Sequence, residues 1–192
     1  FFTHYPLEKI NPINAIAVGP GLGVNKDSQN GLKNLIYNTK QPMVLDADAI
    51  NILAENKTYV DYLPQNSILT PHLKEFERLT GKSTNWFERL QKQREISQKY
   101  HIIIVLKGAH SSISLPDGSV FFNSTGNPGM ATGGSGDVLT GVIVGLLAQG
   151  YSPHEAAIVG TYIHGKAGDL ALQSKTYQSL IASDIIEELW KI

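Results

Sequence analysis

Asn127-Pro128-Gly129-Met130-Ala131-Thr132-Gly133-Gly134-Ser135-Gly136-Asp137 is the stretch that decides the fold, and it runs directly into an apolar segment at residues 138–148. It holds four glycines in eleven residues. Glycine allows the backbone to adopt positive φ angles and to approach a ligand closely. The N-terminus of the helix that follows offers unpaired N–H groups and the positive end of a dipole. The stretch therefore predicts a cradle for an anion.

A tight turn closed by a capping aspartate is the simpler interpretation of such a run. Gly133, Gly134 and Gly136 exceed what one turn requires, which favours a ligand site. The run is neither a P-loop, which ends in Gly-Lys-Ser/Thr, nor a dinucleotide fingerprint. We therefore expect another kind of phosphate or nucleotide site. Because a carboxylate would repel phosphate, Asp137 is expected to act on a proton.

Composition excludes several classes of function. The 192 residues are 42% hydrophobic and 17% charged, which suits one globular domain over residues 1–192. With a net charge of −1, the chain has no excess of positive charge of the kind that binds nucleic acid. The sequence holds no cysteine, which excludes disulfides and thiolate metal sites and is compatible with a cytoplasmic protein. The longest apolar segment, residues 138–148, is far shorter than the roughly 20 residues that span a bilayer, so no membrane partner is expected.

Apolar runs alternate with helical patterns along the rest of the chain. Strands are predicted at residues 15–18, 43–49, 67–71 and 102–106, and a hairpin at 111–115 and 120–123. Helices are predicted after a cap at Asp27 and at residues 73–79, 86–99, 135–149, 153–172 and 182–191. This order favours an α/β fold with a mainly parallel central sheet and helices on both faces.

Polar and glycine residues follow the predicted strands where they end. Ligands bind beyond the carboxyl ends of the strands in open α/β sheets, so we expect these residues to share one site. Asp46 and Asp48 alternate in the second strand, and Asp48 is the better candidate because it lies nearer the strand end. His72 and Glu75 are three residues apart, so they share a helix face and could meet one ligand. Lys107 could reach a phosphate as a point charge, or lie on the surface with its stem buried.

Two later patterns are assigned to structure. Gly141 and Gly145 are four residues apart, and we expect them to let their helix pack closely on a neighbour. His164 and Asp169 lie in a helical segment with small residues, which is interpreted as scaffold and as a contact compatible with an oligomer. No His, Asp or Glu set has metal-ligand spacing, so a metal would arrive with the nucleotide, as Mg²⁺ usually does.

Several segments together resemble the ADP/ATP-dependent NAD(P)H-hydrate dehydratase family, a branch of the ribokinase-like superfamily. They are Val18-Gly19-Pro20-Gly21-Leu22-Gly23, Leu45-Asp46-Ala47-Asp48, Leu69-Thr70-Pro71-His72, Val105-Leu106-Lys107-Gly108, the run at 126–139, and His164-Gly165 with Gly168-Asp169. The resemblance covers nearly the whole chain, and the run at 127–137 is its specific element. The family carries further strand–helix units before its Gly-Pro-Gly-Leu-Gly loop, so we expect this chain to lack the first N-terminal units of the fold.

The resemblance implies a metabolite-repair lyase that dehydrates hydrated NADH or NADPH. ADP or ATP would phosphorylate the hydrate hydroxyl, and loss of phosphate would restore the cofactor. The implied catalytic residues are Asp137 as general base, with Gly134, Ser135 and Gly136. The implied nucleotide-binding residues are Lys107, Gly108, Ala109, His110, Ser111, Asn127, Gly129, Thr132, Gly133 and Gly136. The implied substrate-binding residues are Gly21, Gly23, Asp48, His72, Glu75 and Asp137.

Two other interpretations stay open at the level of sequence. A ribokinase-like kinase of a vitamin-precursor alcohol, such as a hydroxyethylthiazole or a pyrimidine, would use the same loop and the same aspartate. A non-catalytic nucleotide-binding fragment would share the loop as well. Adenine nucleotide with Mg²⁺ and a small-molecule substrate are the expected partners, and a homo-oligomer is compatible with the apolar positions of the late helices.

Overall fold

A computed structural model describes residues 14–192. Within them a six-stranded sheet has the order β1-β2-β3-β4-β5-β6, with β1 at Ile16–Val18, β2 at Met43–Leu45, β3 at Ile68–Leu69, β4 at Ile103–Leu106, β5 at Ser112–Ser114 and β6 at Val120–Phe122. The first four strands pair in parallel. Strands β5 and β6 form an antiparallel hairpin against β4. The predicted hairpin and the mainly parallel sheet are therefore confirmed.

Helices cover both faces of the sheet. They are α1 at Lys26–Asn38, α2 at Ala47–Glu55, α3 at Leu73–Thr80, α4 at Trp86–Tyr100, α5 at Ser135–Ala148, α6 at Pro153–Ala171 and α7 at Ala182–Glu188. Short 3₁₀ helices occupy Lys57–Tyr62 and Pro128–Met130, which the sequence patterns did not predict. A third, Leu189–Lys191, forms the end of the helix predicted at 182–191.

The central strands are apolar on both sides, which explains their continuous hydrophobic runs. Leu45 and Ile104 pack with α1, α2 and α3 in one buried cluster. Val44 and Val105 point the other way and pack with α5 and α6 in a second cluster. The alternation of side chains along a strand makes this division, so each strand contributes to both layers of the core.

Three local predictions were wrong. The strand predicted at 43–49 ends at Leu45, because Asp46 is an N-cap residue and Ala47 starts α2. Helix α1 is capped by Asn25, whose side chain accepts from the Ser28 N–H, and Asp27 lies in the first turn. The third concerns the glycines of α5.

Gly141 and Gly145 do not provide the close helix contact. A Cβ at either position would meet nothing within 4 Å. A Cβ at Gly160, on α6, would lie 2.9 Å from Ile143 of α5. The close approach of these helices is therefore made by the glycine of α6.

Across residues 14–192 no helix is both long and apolar enough to cross a membrane. The predicted lack of N-terminal strand–helix units concerns chain before β1 and lies outside the described residues.

Candidate functional site

The loops that follow the parallel strands meet at one edge of the sheet, as expected for a site at carboxyl strand ends. The backbone at His72, after β3, forms an isolated parallel bridge with Lys107, after β4. The side chain of Lys107 in turn reaches Asp46, after β2. Residues 61 positions apart in sequence are thus brought into contact.

The glycine-rich run ends as predicted at the N-terminus of a helix. Gly134 is the N-cap of α5 at φ 85°, a left-handed conformation that glycine adopts without strain. Among residues 14–192, the N–H groups of Gly136 and Asp137 donate to no protein acceptor. Free N–H groups and the positive end of the helix dipole make this first turn suited to an anion.

Asp137 lies in that first turn with an exposed carboxylate. It lines an open cavity of about 800 Å³ together with Gly19, Pro20, Gly21 and Thr140. A ligand in this cavity would therefore touch the carboxylate and the loop after β1 at once. The prediction that Gly21 and Asp137 share a site is consistent with this cavity.

Below the first turn of α5 is a buried ion pair. Lys107 Nζ lies 2.8 Å from Asp46 Oδ1, and the Thr140 hydroxyl donates to Asp46 Oδ2 at 2.8 Å. Asp46 is 1% exposed, whereas the Lys107 side chain is 22% exposed. A Cβ added at Gly136 would lie 3.2 Å from Lys107 Nζ, so the ammonium lies directly against the anion cradle.

The sequence predicted Asp48 and Lys107 as ligand-binding residues and did not predict this ion pair. Asp46, not Asp48, is the carboxylate that contacts Lys107, because the chain turns from strand to helix between them. Lys107 is not a free surface cation, and its contact with a phosphate stays a prediction.

The loop after β1 is fixed by glycine and by Asp48. Gly19 has φ 136°, and a Cβ there would overlap the carbonyl of Asp46, so no other residue fits. The Gly23 N–H donates to Asp48 Oδ2 at 2.8 Å. Asp48 therefore shapes the loop that bounds the cavity, and direct contact of Gly23 or Asp48 with a substrate stays a prediction.

His72 and Glu75 face each other, as their spacing predicted. His72 Nδ1 accepts from the N–H groups of Lys74 and Glu75 at 3.1 and 3.2 Å, and Glu75 Oε2 accepts from the His72 N–H at 2.8 Å. This reciprocal cap starts α3. The acceptor role of Nδ1 places the ring proton on Nε2, which lies 3.3 Å from Glu75 Oε1. Both side chains thus serve the helix cap, and a contact with substrate stays a prediction.

Apart from Lys107, the predicted nucleotide-binding residues lie in two loops, and Gly129 is buried in the second of them. Gly108, Ala109 and His110 form the exposed turn after β4, where the Gly108 N–H contacts the Ser111 hydroxyl at 3.3 Å. Asn127, Gly129, Thr132 and Gly133 lie in the stretch that leads to α5. Their contact with nucleotide stays a prediction.

Two residues that the sequence assigned to scaffold contact the glycine-rich stretch. Asp169 accepts from the Gly126 N–H and from the Asn127 side chain. His164 Nε2 lies 3.4 Å from the Ser135 hydroxyl, and burial lowers the pKa of His164 to about 4. The positive charge of Lys107 acts in the same direction on this pKa. His164 is therefore a neutral imidazole beneath the cradle near neutral pH.

The sheet order and the glycine-rich start of α5 are those of a ribokinase-like fold. A solved protein of the ribokinase-like superfamily from Enterococcus faecalis has the same fold. Comparison with family models then identifies the family. The chain belongs to the NAD(P)H-hydrate dehydratase family, whose model matches residues 2–191. The predicted resemblance and fold class are thereby confirmed.

Individual relatives agree with this assignment. The chain is 40% identical, over 95% of its length, to a bifunctional NAD(P)H-hydrate repair enzyme from Moorella thermoacetica, of which it covers 35%. It is 41% identical, over 88% of its length, to an ADP-dependent (S)-NAD(P)H-hydrate dehydratase from Neisseria meningitidis, of which it covers 58%. A Bacillus subtilis ADP/ATP-dependent NAD(P)H-hydrate dehydratase, co-crystallised with ATP and Mg²⁺ and soaked with coenzyme A, superposes with a TM-score of 0.78 at 34% identity. That match covers 93% of this chain and 66% of the other.

Proposed function

We propose that this protein is a hydro-lyase that dehydrates hydrated NADH or NADPH at the expense of ADP or ATP. The products are NAD(P)H, phosphate and AMP, or ADP where ATP is used. Membership of the family and the names of the relatives support this proposal. The observation that carries it is the position of Asp137, whose exposed carboxylate lies beside free helix N–H groups and on the wall of an open cavity.

Phosphorylation is needed because hydroxide is a poor leaving group and phosphate is a good one. Asp137 accepts the proton of the hydrate hydroxyl as general base. The hydroxyl oxygen then attacks the terminal phosphorus of the nucleotide, and the bridging oxygen leaves with the bonding electron pair. In the second half the ring C–O bond breaks, phosphate leaves with its electrons, and the adjacent ring carbon loses a proton to solvent as the double bond returns.

The cradle stabilises the transferring phosphoryl group. The N–H groups of Gly136 and Asp137, which donate to no acceptor within residues 14–192, are available to the negative charge of this group, and the dipole of α5 adds to them. The Lys107 ammonium, held against Gly136 by Asp46, places a fixed positive charge directly behind this turn. Such preorganised charge costs no rearrangement during the reaction.

The two substrates occupy opposite sides of Asp137 in this proposal. The cavity lined by Gly21 and Asp137 receives the hydrated nicotinamide. Gly23, Asp48, His72 and Glu75 do not line this cavity and are assigned to the substrate side by family resemblance. The nucleotide lies along the turn at residues 108–111 and the stretch at 127–133. The implied residue roles follow from family resemblance and from this placement together.

Mg²⁺ is proposed to arrive on the nucleotide. Among residues 14–192 no group of three His, Cys, Asp or Glu side chains could hold a metal ion by itself. The site therefore suits an ion whose ligands come mainly from phosphate oxygens, as is common for Mg²⁺. When bound, the ion would neutralise phosphate charge.

We further propose a homo-oligomer in the cytoplasm. Ile186 is 54% exposed and Trp190 is 80% exposed at the end of the chain, which supports a contact between copies. The proposed substrates are intracellular metabolites, which supports the compartment.

A coupled assay tests the function. The protein is mixed with Mg²⁺, ADP and hydrated NADH, and the dihydronicotinamide absorbance band and free phosphate are followed together. We expect the band to return only with nucleotide, with one phosphate released for each NADH formed. Accumulation of a phosphorylated hydrate without NADH would favour a kinase, and ADP binding without turnover would favour a binding module.

A further inference from the structure

Helix α6 holds the chain that leads into the anion cradle through one carboxylate. Asp169 Oδ2 accepts from the Gly126 N–H at 3.0 Å, and Asp169 Oδ1 accepts from Asn127 Nδ2 at 3.0 Å. The side-chain oxygen of Asn127 accepts from the Gly129 N–H at 3.1 Å, which starts the 3₁₀ turn Pro128–Met130. A chain of three hydrogen bonds thus joins α6 to the segment just before the cradle.

The same segment, residues 125–130, is held by close packing, and we call it the strap. A Cβ at Gly165 would overlap Thr125, and one at Gly168 would overlap Met130, so α6 carries glycine where the strap crosses it. On the other side, a Cβ at Gly129 would lie 3.0 Å from Tyr177. The strap therefore lies between α6 and the segment before α7.

The charge of Asp169 is unfavourable for the helix that carries it. Asp169 lies in the last turn of α6, where the negative end of the helix dipole disfavours a carboxylate. Hydrogen bonds to a charged acceptor are stronger than neutral ones and offset that cost. The carboxylate is thus explained by the donors of the strap and not by the helix.

We propose that Asp169 is a positioning residue for nucleotide binding, a role that rests on the proposed function. By fixing Gly126 and Asn127 it sets the path of the strap, and only the short stretch 128–133 then separates Asn127 from the N-cap Gly134. The N–H groups of the cradle are thereby held in place before the nucleotide arrives. Preorganisation of this kind raises affinity because less ordering remains to be done on binding.

Asp169→Asn removes one acceptor and sets an amide N–H₂ group against a donor of the strap. We expect ADP to bind on the order of tenfold more weakly, as for the loss of a hydrogen bond to a charged group. The melting temperature is expected to fall by only about 3–6 °C, the cost of one such bond, since the core packing is untouched. Asp117→Asn is the matched control, because Asp117 also accepts two bonds, from Ser119, in the remote turn between β5 and β6.

A reciprocal exchange separates positioning from charge. In the Asn127→Asp variant a carboxylate on the strap faces the carboxylate of Asp169. Adding Asp169→Asn then restores every bond, because the amide now on α6 donates to the strap carboxylate and accepts from the Gly126 N–H. The strap carboxylate in turn still accepts from the Gly129 N–H. The proposal therefore expects Asp169→Asn to weaken ADP binding in the wild type and to strengthen it in the Asn127→Asp background.

Isothermal calorimetry with ADP and Mg²⁺ measures the affinities of the wild type, the two single variants and the double variant, and thermal unfolding is followed in parallel. Equal ADP affinity of the wild type and Asp169→Asn would overturn the proposal. Tighter binding in both backgrounds would also overturn it, since that is the result of removing a negative charge near phosphate. Failure of the wild type to bind either ADP or ATP would instead refute the proposed function, so the two failures are distinguishable.

Discussion

Lys107→Met tests the buried ion pair that supports the cradle. The substitution keeps a stem of similar length and leaves the Asp46 carboxylate, which is 1% exposed, without its cation. Removal of one partner of a buried pair costs about 3–5 kcal/mol. We expect a value near the lower end, about 3 kcal/mol, because Lys107 is still 22% exposed and Thr140 still donates to Asp46. For a domain of this size that corresponds to a drop in melting temperature of about 6–12 °C.

Thermal and urea unfolding measure this loss, with two companion variants. Lys92→Met removes a pair with Glu88 at 2.9 Å, in which the carboxylate is 37% exposed instead of 1%, and is expected to cost less than about 1 kcal/mol. The double variant Asp46→Asn/Lys107→Met has no buried charge and should recover more than half of the loss. If Lys107→Met costs no more than Lys92→Met, or if the double variant is as unstable as the single one, the pair does not have the role given to it.

Two further predictions concern helix α6, which carries His164 and Gly165. Burial lowers the pKa of His164 from 6.5 to about 4, so the unfolded chain binds more protons in that interval. The free energy of unfolding should therefore fall by up to about 3 kcal/mol as the pH drops from about 6.5 to about 4. His164→Gln should remove this part of the pH dependence. Identical pH profiles of urea unfolding for the wild type and His164→Gln would contradict the prediction. Gly165→Ala should destabilise by about 1–3 kcal/mol because its Cβ meets the backbone of Thr125. Gly145→Ala, with open space around it, should gain about 1 kcal/mol from helix propensity, and equal unfolding midpoints for these two variants would show that α6 does not pack as described.

The sequence was sufficient to predict the elements that depend on local pattern. The glycine run, the start of α5 at Ser135 and the position of Asp137 in its first turn follow from residue types over a short stretch. The antiparallel hairpin of β5 and β6 follows from the Pro-Asp-Gly turn between them. These features need no information about distant residues.

The contacts that complete the site depend on pairs far apart in sequence. Thr140 and Asp46 are separated by 94 positions, and Asp169 and Gly126 by 43. No local pattern predicts which carboxylate a distant lysine will meet. The sequence favours Asp48 over Asp46 because a short apolar run does not show where a strand ends and a helix begins.

The role of Asp137 as general base is the central claim, and one comparison tests it most directly. Asp137→Asn, with Asp117→Asn as the control, is assayed for NADH formation from hydrated NADH, ADP and Mg²⁺, while ADP affinity is measured on the same samples. We expect turnover by Asp137→Asn to fall by a factor of about 10²–10⁴ while ADP still binds and the control variant remains active. Turnover by Asp137→Asn close to that of the wild type would contradict the claim.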